Sequence, residues 1–305
     1  MAGEAGDRAD PGGSAATRKQ GLAHVTEPVA AVAGELPGWA RLVRAPNPGP
    51  MTLEGTNTWV LRAPGAEQAV VVDPGPADES HLRAVASHGP VAAVLVTHGH
   101  PDHVDGLDRF RELTGAPLAG ADGLAAGPLA GLAITMVETP GHTADSVCLL
   151  VETAGRQPAK RSVAGGHSGR AQHDSQRAVL TGDTILGRGT TVVAWPDGDL
   201  GDYLASLRRL ADLVGVPVLP GHGPALADCA AAASYYLAHR RARLEQVRAA
   251  VAAGAETPAE VVRAVYADVD RALWPAAEWS VRAQLAYLRA EHRESAAGPP
   301  QLDEP

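Results

Sequence analysis

The sequence predicts an α/β layered fold followed by a small all-helical domain. Short apolar runs, rich in valine and ended by Gly, Pro or Asp, alternate with helical repeats over about the first 220 residues. Runs of this length are typical of buried strands, and strands that alternate with helices favour layered α/β architectures. From about residue 230 onward only helical repeats occur, which predicts a separate helical unit.

The predicted strands and helices of the first unit follow one another closely. We expect the ordered chain to begin near Trp39, in the segment WARLVRA. The predicted strands span residues 57–62, 69–73, 91–97, 146–152, 178–182 and 216–220. Helices are predicted between them at 78–89 and 202–214. In the second helix Leu204, Leu207 and Leu210 recur every three residues, which places them on one face.

Three helices are predicted in the C-terminal unit. The first covers residues 234–254, with one apolar stripe formed by Leu237, Leu244, Val247 and Val251. The second begins at a capping box, in which Thr257 caps the helix and Glu260 reaches back to the cap. Pro258 suits its first position. The third follows Pro275, with a buried side formed by Val281, Leu285 and Leu288.

These patterns divide the chain into four parts. Residues 1–36 are rich in Gly, Ala, Pro and charge, which predicts a disordered leader. The first domain is predicted at 37–228, with a polar, glycine-rich insertion at 153–178 that we expect to be flexible. The helical domain is predicted at 229–294, and a disordered tail at 295–305.

Composition narrows the function and the location of the chain. The formal net charge of −9 argues against a generic attraction to nucleic acid or to an anionic membrane surface. Two cysteines cannot form a disulfide framework, which fits a reducing compartment. No continuous apolar segment indicates a secretory signal or a membrane span. We therefore predict a cytoplasmic protein without membrane association.

The strongest chemical signal is the segment THGHPDHVDG, residues 97–106, which follows a predicted strand. Four residues with metal-ligating side chains fall within six positions: His98, His100, Asp102 and His103. Neither a helix nor a strand would aim all four at one point, whereas a tight loop with a glycine and a proline can. The segment therefore predicts a metal site at the carboxyl end of a strand.

Three further residues complete a ligand set. His142 lies in TPGHTADS, just before a predicted strand, while Asp183 in LTGDTILG and His222 in LPGHGP each follow one. Each stands beside Gly or Pro at a strand end, as expected for side chains gathered at one rim of a sheet sandwich. An isolated histidine is usually structural, but three such positions downstream of the histidine loop favour ligands.

With these motifs, residues 40–225 resemble the metallo-β-lactamase superfamily in its glyoxalase II-like, two-metal form. The resemblance implies a four-layer αββα sandwich with the site at one edge. It also implies that His98, His100 and His142 hold one metal ion, that Asp102, His103 and His222 hold a second, and that Asp183 bridges both. Nitrogen and carboxylate ligands suit two zinc ions, with iron or manganese as chemical alternatives.

Longer strings extend the resemblance to nearly the whole chain. NPGPMTLEGTNTWVL (47–61), GDTILGRGTTVV (182–193), PGHGP (220–224) and HRRARLEQV (239–247) resemble the mitochondrial β-lactamase-like endoribonuclease family and its bacterial relatives. This resemblance implies a C-terminal winged-helix-like domain, although the wing is truncated here. It further implies a hydrolase that cleaves single-stranded RNA with a metal-bridging hydroxide. The alternative is a thioester or acyl hydrolase of glyoxalase II type. The expected partner is therefore RNA or a small acyl substrate, and the chain could also form a homodimer.

Several roles stay open at this stage. Asp102 either orients the attacking hydroxide, as a catalytic residue, or serves only as a ligand. Asp73, which ends a predicted strand, either hydrogen-bonds the histidine loop or forms a plain turn. Asn57 and Thr58 either line the substrate cleft or cap the turn before their strand.

Overall fold

The structure is a computed structural model that describes residues 36–153 and 177–297. The strands are β1 (Ala40–Arg44), β2 (Asn57–Leu61), β3 (Ala69–Val72), β4 (Val91–Leu95), β5 (Leu132–Glu138), β6 (Val147–Thr153), β7 (Arg177–Gly182) and β8 (Val218–Pro220). The helices are α1 (Glu79–Ala86), α2 (Pro101–Val104), α3 (Leu107–Thr114), α4 (Ala121–Ala125), α5 (Leu200–Leu210), α6 (Cys229–Ala252), α7 (Pro258–Val265) and α8 (Trp274–Ala297). The predicted leader, the insertion and the tail beyond Ala297 lie outside the described residues, apart from their first or last few positions.

The strands form two four-stranded sheets with the same topology. One sheet has the order β1-β2-β3-β4 and the other has the order β5-β6-β7-β8. In each sheet the first three strands are antiparallel, and the fourth runs parallel to the third. The parallel pair in each sheet therefore ends at the same edge, and both edges contribute to the site described below.

Alternation along the strands creates the layers. In β2, Trp59 and Leu61 pack against the second sheet, whereas Val60 faces α1 and α3. In β7, Leu180 faces the first sheet and Val179 faces α5 and α6. Since successive side chains of a strand point to opposite faces, each sheet packs against the other sheet on its inner face and against helices on its outer face. This arrangement is the predicted four-layer αββα sandwich.

The C-terminal helices form a smaller apolar core. Val247 of α6 packs there with Val261 and Val265 of α7 and with Val281 of α8. The N-terminal half of α6 belongs instead to the large core beside α5, so α6 contributes to both cores. The predicted capping box is present, with Thr257 accepting from the Glu260 backbone N–H and the Glu260 carboxylate accepting in return.

The prediction for α6 was wrong in part. The helix begins at Cys229, where Asp228 caps it, rather than at residue 234. Val251, placed on the predicted stripe, is 43% exposed, while Tyr236 and Arg240 are buried. Packing against two cores selects a different face at each end of the helix, which a single apolar stripe does not describe.

The strand β5 was absent from the predicted elements. Leu132 and Ile134 are buried, while the residues that follow each of them, Ala133 and Thr135, are exposed. This alternation of buried and exposed residues marks a half-buried strand rather than the continuous apolar run by which the other strands are recognised. In the described part of the chain, no helix has the length and apolar character needed to cross a membrane.

Candidate metal centre

The seven residues predicted as ligands lie together at one edge of the sandwich. Four follow β4, one precedes β6, one follows β7 and one follows β8. Because β6 is antiparallel to β7 and β8 is parallel to it, the start of β6 and the ends of β7 and β8 meet at one edge. Backbone hydrogen bonds join the two sheets there: Val147 N donates to Thr97 O over 2.8 Å, and Asn57 N donates to Gly221 O over 2.8 Å.

The ligand-type atoms form two adjoining groups. One group is His98, His100, His142 and Asp183, and the other is Asp102, His103 and His222; within each group the atoms lie within 4.8 Å of one another. Asp183 touches both groups, since its carboxylate lies 3.8 Å from His142 Nε2, 3.3 Å from His222 Nε2 and 3.4 Å from His103 Nε2. The structure thus brings the seven predicted residues together, with Asp183 between the two groups.

The imidazole nitrogens of the centre lie closer to one another than the nitrogens of histidines that share no ion would lie. His98 Nε2 lies 3.1 Å from His100 Nδ1, and His142 Nε2 lies 3.0 Å from the same atom. In the second group His103 Nε2 lies 3.3 Å from His222 Nε2. Nitrogens that share one tetrahedral zinc ion at 2.0–2.1 Å lie about 3.3 Å apart, so the spacing is that of ligands around a common ion.

Hydrogen bonds on the outer side fix the orientation of the rings. His142 Nδ1 donates to Val192 O over 2.6 Å, and His222 Nδ1 lies 3.4 Å from Gly55 O. His103 Nδ1 donates to Asp73 Oδ2 over 2.9 Å. Because a carbonyl and a carboxylate only accept, these rings carry their proton on Nδ1 in the neutral form and turn the Nε2 lone pair towards the centre.

Asp73 supports the histidine loop at three points. Besides His103, its carboxylate accepts from Thr97 N over 2.8 Å and from Thr97 Oγ1 over 2.7 Å. Thr97 Oγ1 is in turn 3.1 Å from His98 Nδ1. Of the two roles left open by the sequence, the structure therefore shows contact with the histidine loop, through one ring directly and through Thr97 to another.

The electrostatics of the centre favour a bound cation. Burial opposes the charged form of His222, yet the neighbouring Asp183 and Asp102 carboxylates outweigh it and raise the pKa of this ring to about 9. Burial likewise opposes ionisation of Asp183, but His222 and His103 hold the pKa of its carboxyl well below its usual range. Burial lowers the pKa of His98 to about 2, so its lone pair is free at neutral pH. A cation between these groups is stabilised by buried negative charge.

Two further observations show that the residues fit a metal ion. Asp183 Oδ1 is buried and has no hydrogen-bond partner, although it lies 3.4 Å from His103 Nε2. Gly221 leaves the space beside it open, because a Cβ there would lie 2.6 Å from Asp183 Oδ1 and 2.8 Å from His103 Cε1. An unpaired buried carboxylate oxygen costs free energy unless a cation or a donor satisfies it.

The structure also reveals contacts that sequence reasoning missed. Thr56 Oγ1 donates to Asp102 Oδ2 over 2.9 Å and so orients this ligand. The adjacent Asn57 and Thr58, considered for the cleft, are buried: Asn57 donates to the Pro220 and Gly223 carbonyls, and Thr58 donates to Asp73 O. The motif GTNT marked the right segment, but only the strand register shows which of its side chains reaches the centre.

A cavity of about 580 Å³ opens from the centre towards the C-terminal helices. His142 and Asp183 of the centre are among its lining residues. Its walls include apolar side chains from three segments, among them Met51, Leu186 and Leu273. The polar part of the wall includes four basic residues and one acidic residue, together with hydroxyl groups: Arg188, His239, Arg240, Arg243, Asp270, Thr190, Thr191 and Ser280. The volume falls within the range of small-molecule sites.

Comparison with known proteins agrees with this architecture. Residues 51–131 match the metallo-beta-lactamase superfamily, and residues 257–295 match the beta-lactamase associated winged helix domain. The chain is 28% identical over 285 residues to the beta-lactamase-like protein 2 homolog of Drosophila melanogaster, covering 80% of this chain and 86% of that protein. It is 30% identical over 251 residues to an atrochrysone carboxyl ACP thioesterase of Aspergillus fumigatus, covering 72% of this chain and 71% of that protein.

A solved structure shows the same fold. The crystal structure of a beta-lactamase domain protein from Burkholderia ambifaria superposes with a TM-score of 0.64 at 22% identity, covering 87% of this chain and 92% of that chain. Together with the sequence matches, the shared sandwich and the gathered His and Asp side chains, this leads to one conclusion. The chain belongs to the metallo-β-lactamase superfamily and is a hydrolase of that fold, with a C-terminal helical winged-helix domain.

Proposed function

We propose that this chain is a two-metal hydrolase of acyl thioesters. The observation that carries the proposal is the cavity of about 580 Å³ that joins the centre to the helical unit. His142 and Asp183 of the centre line it, and much of its wall is apolar. A pocket with an apolar wall and a few convergent polar groups suits a small substrate with an aliphatic part.

The charges around the cavity also favour a small substrate. The C-terminal segment 231–293 contains nine arginines against seven acidic residues. Several of these arginines are paired: Arg248 with Glu291, Arg282 with Glu278, and Arg243 with Asp268. Arginines engaged by carboxylates are less available to phosphates, and nucleic-acid affinity depends mainly on such phosphate contacts.

The names of the relatives support the same class of reaction. Two fungal relatives that are 30% identical to this chain carry the name atrochrysone carboxyl ACP thioesterase. Superfamily members share one metal centre while they cleave different bonds, so fold alone does not identify a substrate. The thioesterase names and the apolar cavity are independent reasons for the same choice.

The residues divide between two metal ions as the resemblance implies. His98, His100 and His142 would hold one ion, Asp102, His103 and His222 the other, and Asp183 both. When bound, two divalent ions supply Lewis acidity at the scissile carbonyl and lower the pKa of water, so that hydroxide is available at neutral pH. We take zinc as the metal from its nitrogen and carboxylate ligands, with iron and manganese as the alternatives.

The chain itself supplies orientation and exclusion of solvent. Val192 O, Gly55 O and Asp73 hold three ligand rings with the Nε2 lone pairs inward. Thr56 holds Asp102, whose side chain is 26% exposed, and we propose that this carboxylate accepts a hydrogen bond from an attacking water. The apolar wall excludes bulk water from the acyl chain.

Thioester hydrolysis matches the acid–base groups of the cavity. The oxygen of water bonds to the acyl carbon and the carbon–sulfur bond breaks; the products are a carboxylic acid and a thiol, and the water supplies both protons. Burial, followed by the charges of Arg240 and Arg243, lowers the pKa of His239 to about 4. This imidazole is thus neutral at pH 7 and is not a proton source, and the reaction does not need one from the chain, because a thiol has a pKa of about 8.5 and its thiolate can leave first and take its proton from water.

Cleavage of single-stranded RNA is the second candidate. The chain-wide resemblance to the β-lactamase-like endoribonuclease family favours it, and so does the arginine excess of the C-terminal segment. The same centre would act on a phosphodiester. A cytoplasmic location and a homodimer stay predictions under either function.

One experiment compares both candidates. The zinc-loaded parent protein is assayed with a series of acyl-pantetheine thioesters and with an unstructured RNA oligonucleotide. We expect release of free thiol and intact RNA, and no thiol release by an Asp183→Asn variant. Cleaved RNA with intact thioesters would reverse the order of the candidates. If the parent contains two metal ions per chain and leaves both substrates intact, both candidates are wrong.

A further inference from the structure

Arg240 is the least compensated charge in the cavity wall. The residue is 4% exposed, and among the described residues no carboxylate forms an ion pair with it. Its guanidinium donates from Nη2 to Thr191 O and lies over the Tyr203 ring, 5.2 Å from the centroid. Its Nε is buried and has no hydrogen-bond partner. A buried guanidinium in this state lacks both a counter-charge and one acceptor.

The other two arginines of the same wall differ from Arg240. Arg188 is half-exposed and pairs with Glu54, and Arg243 lies 3.7 Å from Asp268. Burying an unpaired charge is strongly unfavourable, because neither water nor an opposite charge compensates for the lost solvation. In a cavity wall, the missing partner can be a group carried by the ligand.

A second unpartnered atom lies next to Arg240. His239 Nδ1 is buried without a hydrogen-bond partner, and His239 lines the same cavity. The pair is close to the metal centre, since Thr191, whose carbonyl accepts from Arg240, places its Oγ1 3.2 Å from His142 Nδ1. The guanidinium offers only N–H donors, and a neutral imidazole offers one, so together they suit an acceptor-rich group.

We infer that Arg240 and His239 form a subsite for an oxyanion carried by the substrate, either a carboxylate on the acyl chain or a phosphate on the thiol arm. This inference rests on the proposed thioester hydrolysis and adds that the preferred thioester is anionic. Arginine suits this role because its planar donors match the oxygens of carboxylates and phosphates. The apolar wall then holds the uncharged part of the substrate.

Arg240 also has a structural contact, and the test must separate the two roles. Through Thr191 it helps to hold the segment whose Val192 carbonyl orients His142. Loss of that contact alone would slow every substrate by the same factor and would weaken metal binding. Loss of an oxyanion contact would slow only anionic substrates.

The experiment compares three thioesters on the zinc-loaded protein. Pentanoyl-pantetheine carries no charge, glutaryl-pantetheine adds an acyl carboxylate, and pentanoyl-4′-phosphopantetheine adds a phosphate on the thiol arm. We expect the parent to show a kcat/KM at least tenfold higher for one of the two anionic substrates than for the neutral one, and the favoured substrate identifies the source of the oxyanion. In Arg240→Met this preference disappears, because kcat/KM falls at least tenfold more for the favoured anionic substrate than for the neutral one.

Two further variants complete the design. His239→Ala, at a partly exposed position, is expected to reduce the anionic preference several-fold even if Arg240→Met fails to fold. Arg248→Met is the matched control, because Arg248 lies on the same helix, is 42% exposed and pairs with Glu291; its substrate preference should equal that of the parent. An equal loss for all three substrates in Arg240→Met, or a parent without anionic preference, would overturn the inference.

A binding measurement separates failure of the subsite from failure of the proposed function. Calorimetric titration of the zinc-loaded parent with glutarate and with inorganic phosphate needs no turnover. If no thioester is hydrolysed, the proposed function is wrong. The subsite still stands if one of these anions binds the parent at least tenfold more tightly than it binds Arg240→Met. Equal binding by both proteins, or none by either, would contradict it.

Discussion

The metal centre and the helical wall of the cavity are built in different ways. In the centre, each ligand ring that is held from outside has an acceptor elsewhere in the chain, such as Val192 O for His142 and Asp73 for His103. In the wall, side chains come from two helices and from loops, and two of their polar atoms have no partner. Contacts within the chain fix the rings of the centre and leave its inward atoms, Asp183 Oδ1 among them, for metal ions, whereas the wall leaves donors for a substrate.

The difference separates chemistry from selectivity. A centre with fixed ligands gives the same reaction for any substrate that reaches it, so changes there should lower turnover of all substrates together. A wall with open donors and apolar surface should change the ranking of substrates instead. Substitutions in the two regions therefore test whether this division is correct.

The largest effect is expected at Asp183. Asp183→Asn removes the negative charge that touches both ligand groups, so we expect loss of at least one metal ion per chain and a fall in kcat of at least about 1,000-fold. Metal content by elemental analysis and turnover of any substrate provide the measurements. Asp108→Asn, at a side chain that is 93% exposed, is the control. Full metal occupancy with normal turnover in Asp183→Asn would show that the centre is not the reactive site.

A smaller effect is expected one layer further out, at Asp73. Asp73→Asn keeps the size of the side chain but removes the charge that orients His103 and Thr97. Changes of this kind lower metal affinity by about 10- to 100-fold. Competition with a chromophoric chelator measures the affinity, and Asp122→Asn on the exposed helix α4 is the control. Unchanged affinity would mean that backbone geometry alone positions the rings.

The sequence predicts the centre better than it predicts the wall, and the reason is physical. Four ligands share one short segment, in which His98 and His100 lie in a loop and Asp102 and His103 lie in the helix α2, and the other three each stand beside Gly or Pro at the end of a strand. Such local signals can be recognised in the sequence without knowledge of the tertiary packing. The strands themselves were recognised by continuous apolar runs, and β5 was missed because its burial alternates along the strand.

The wall depends on tertiary packing, which leaves little local signal. Arg240 lies at a buried position of α6 because that part of the helix packs beside Tyr203 and Thr191, both distant in the chain. Helical periodicity predicts an apolar residue at position 240 and a buried Val251, whereas Arg240 is buried and Val251 is exposed. Likewise, Thr56 reaches Asp102 across 46 positions of sequence. Contacts of this kind follow from the fold and not from spacing.

Shortening an apolar side chain of the cavity wall should change KM and leave kcat nearly unchanged. Met51 lines the cavity and is 44% exposed, so Met51→Ala removes contact surface without opening the core. Loss of roughly one buried methylene group, at about 0.8 kcal/mol, raises KM for a pentanoyl thioester about fourfold. We expect kcat to stay within twofold. Val214→Ala, at an exposed valine outside the cavity lining, is the control; a fall in kcat with unchanged KM would place Met51 in the chemistry instead.

The smallest functional effect is expected at the cap of α7. Thr257→Ala removes the side-chain acceptor for the Glu260 backbone N–H, which lowers the free energy of unfolding by about 1 kcal/mol. The cap lies outside both the ligand set and the cavity lining, so metal content, kcat and substrate ranking should all match the parent. Chemical denaturation measures the free energy of unfolding, and the three-thioester assay measures kcat and the substrate ranking. A cap variant that keeps its metal ions but ranks the three substrates differently would contradict this expectation. Selectivity would then depend on the stability of the whole helical unit and not only on the residues that touch the substrate.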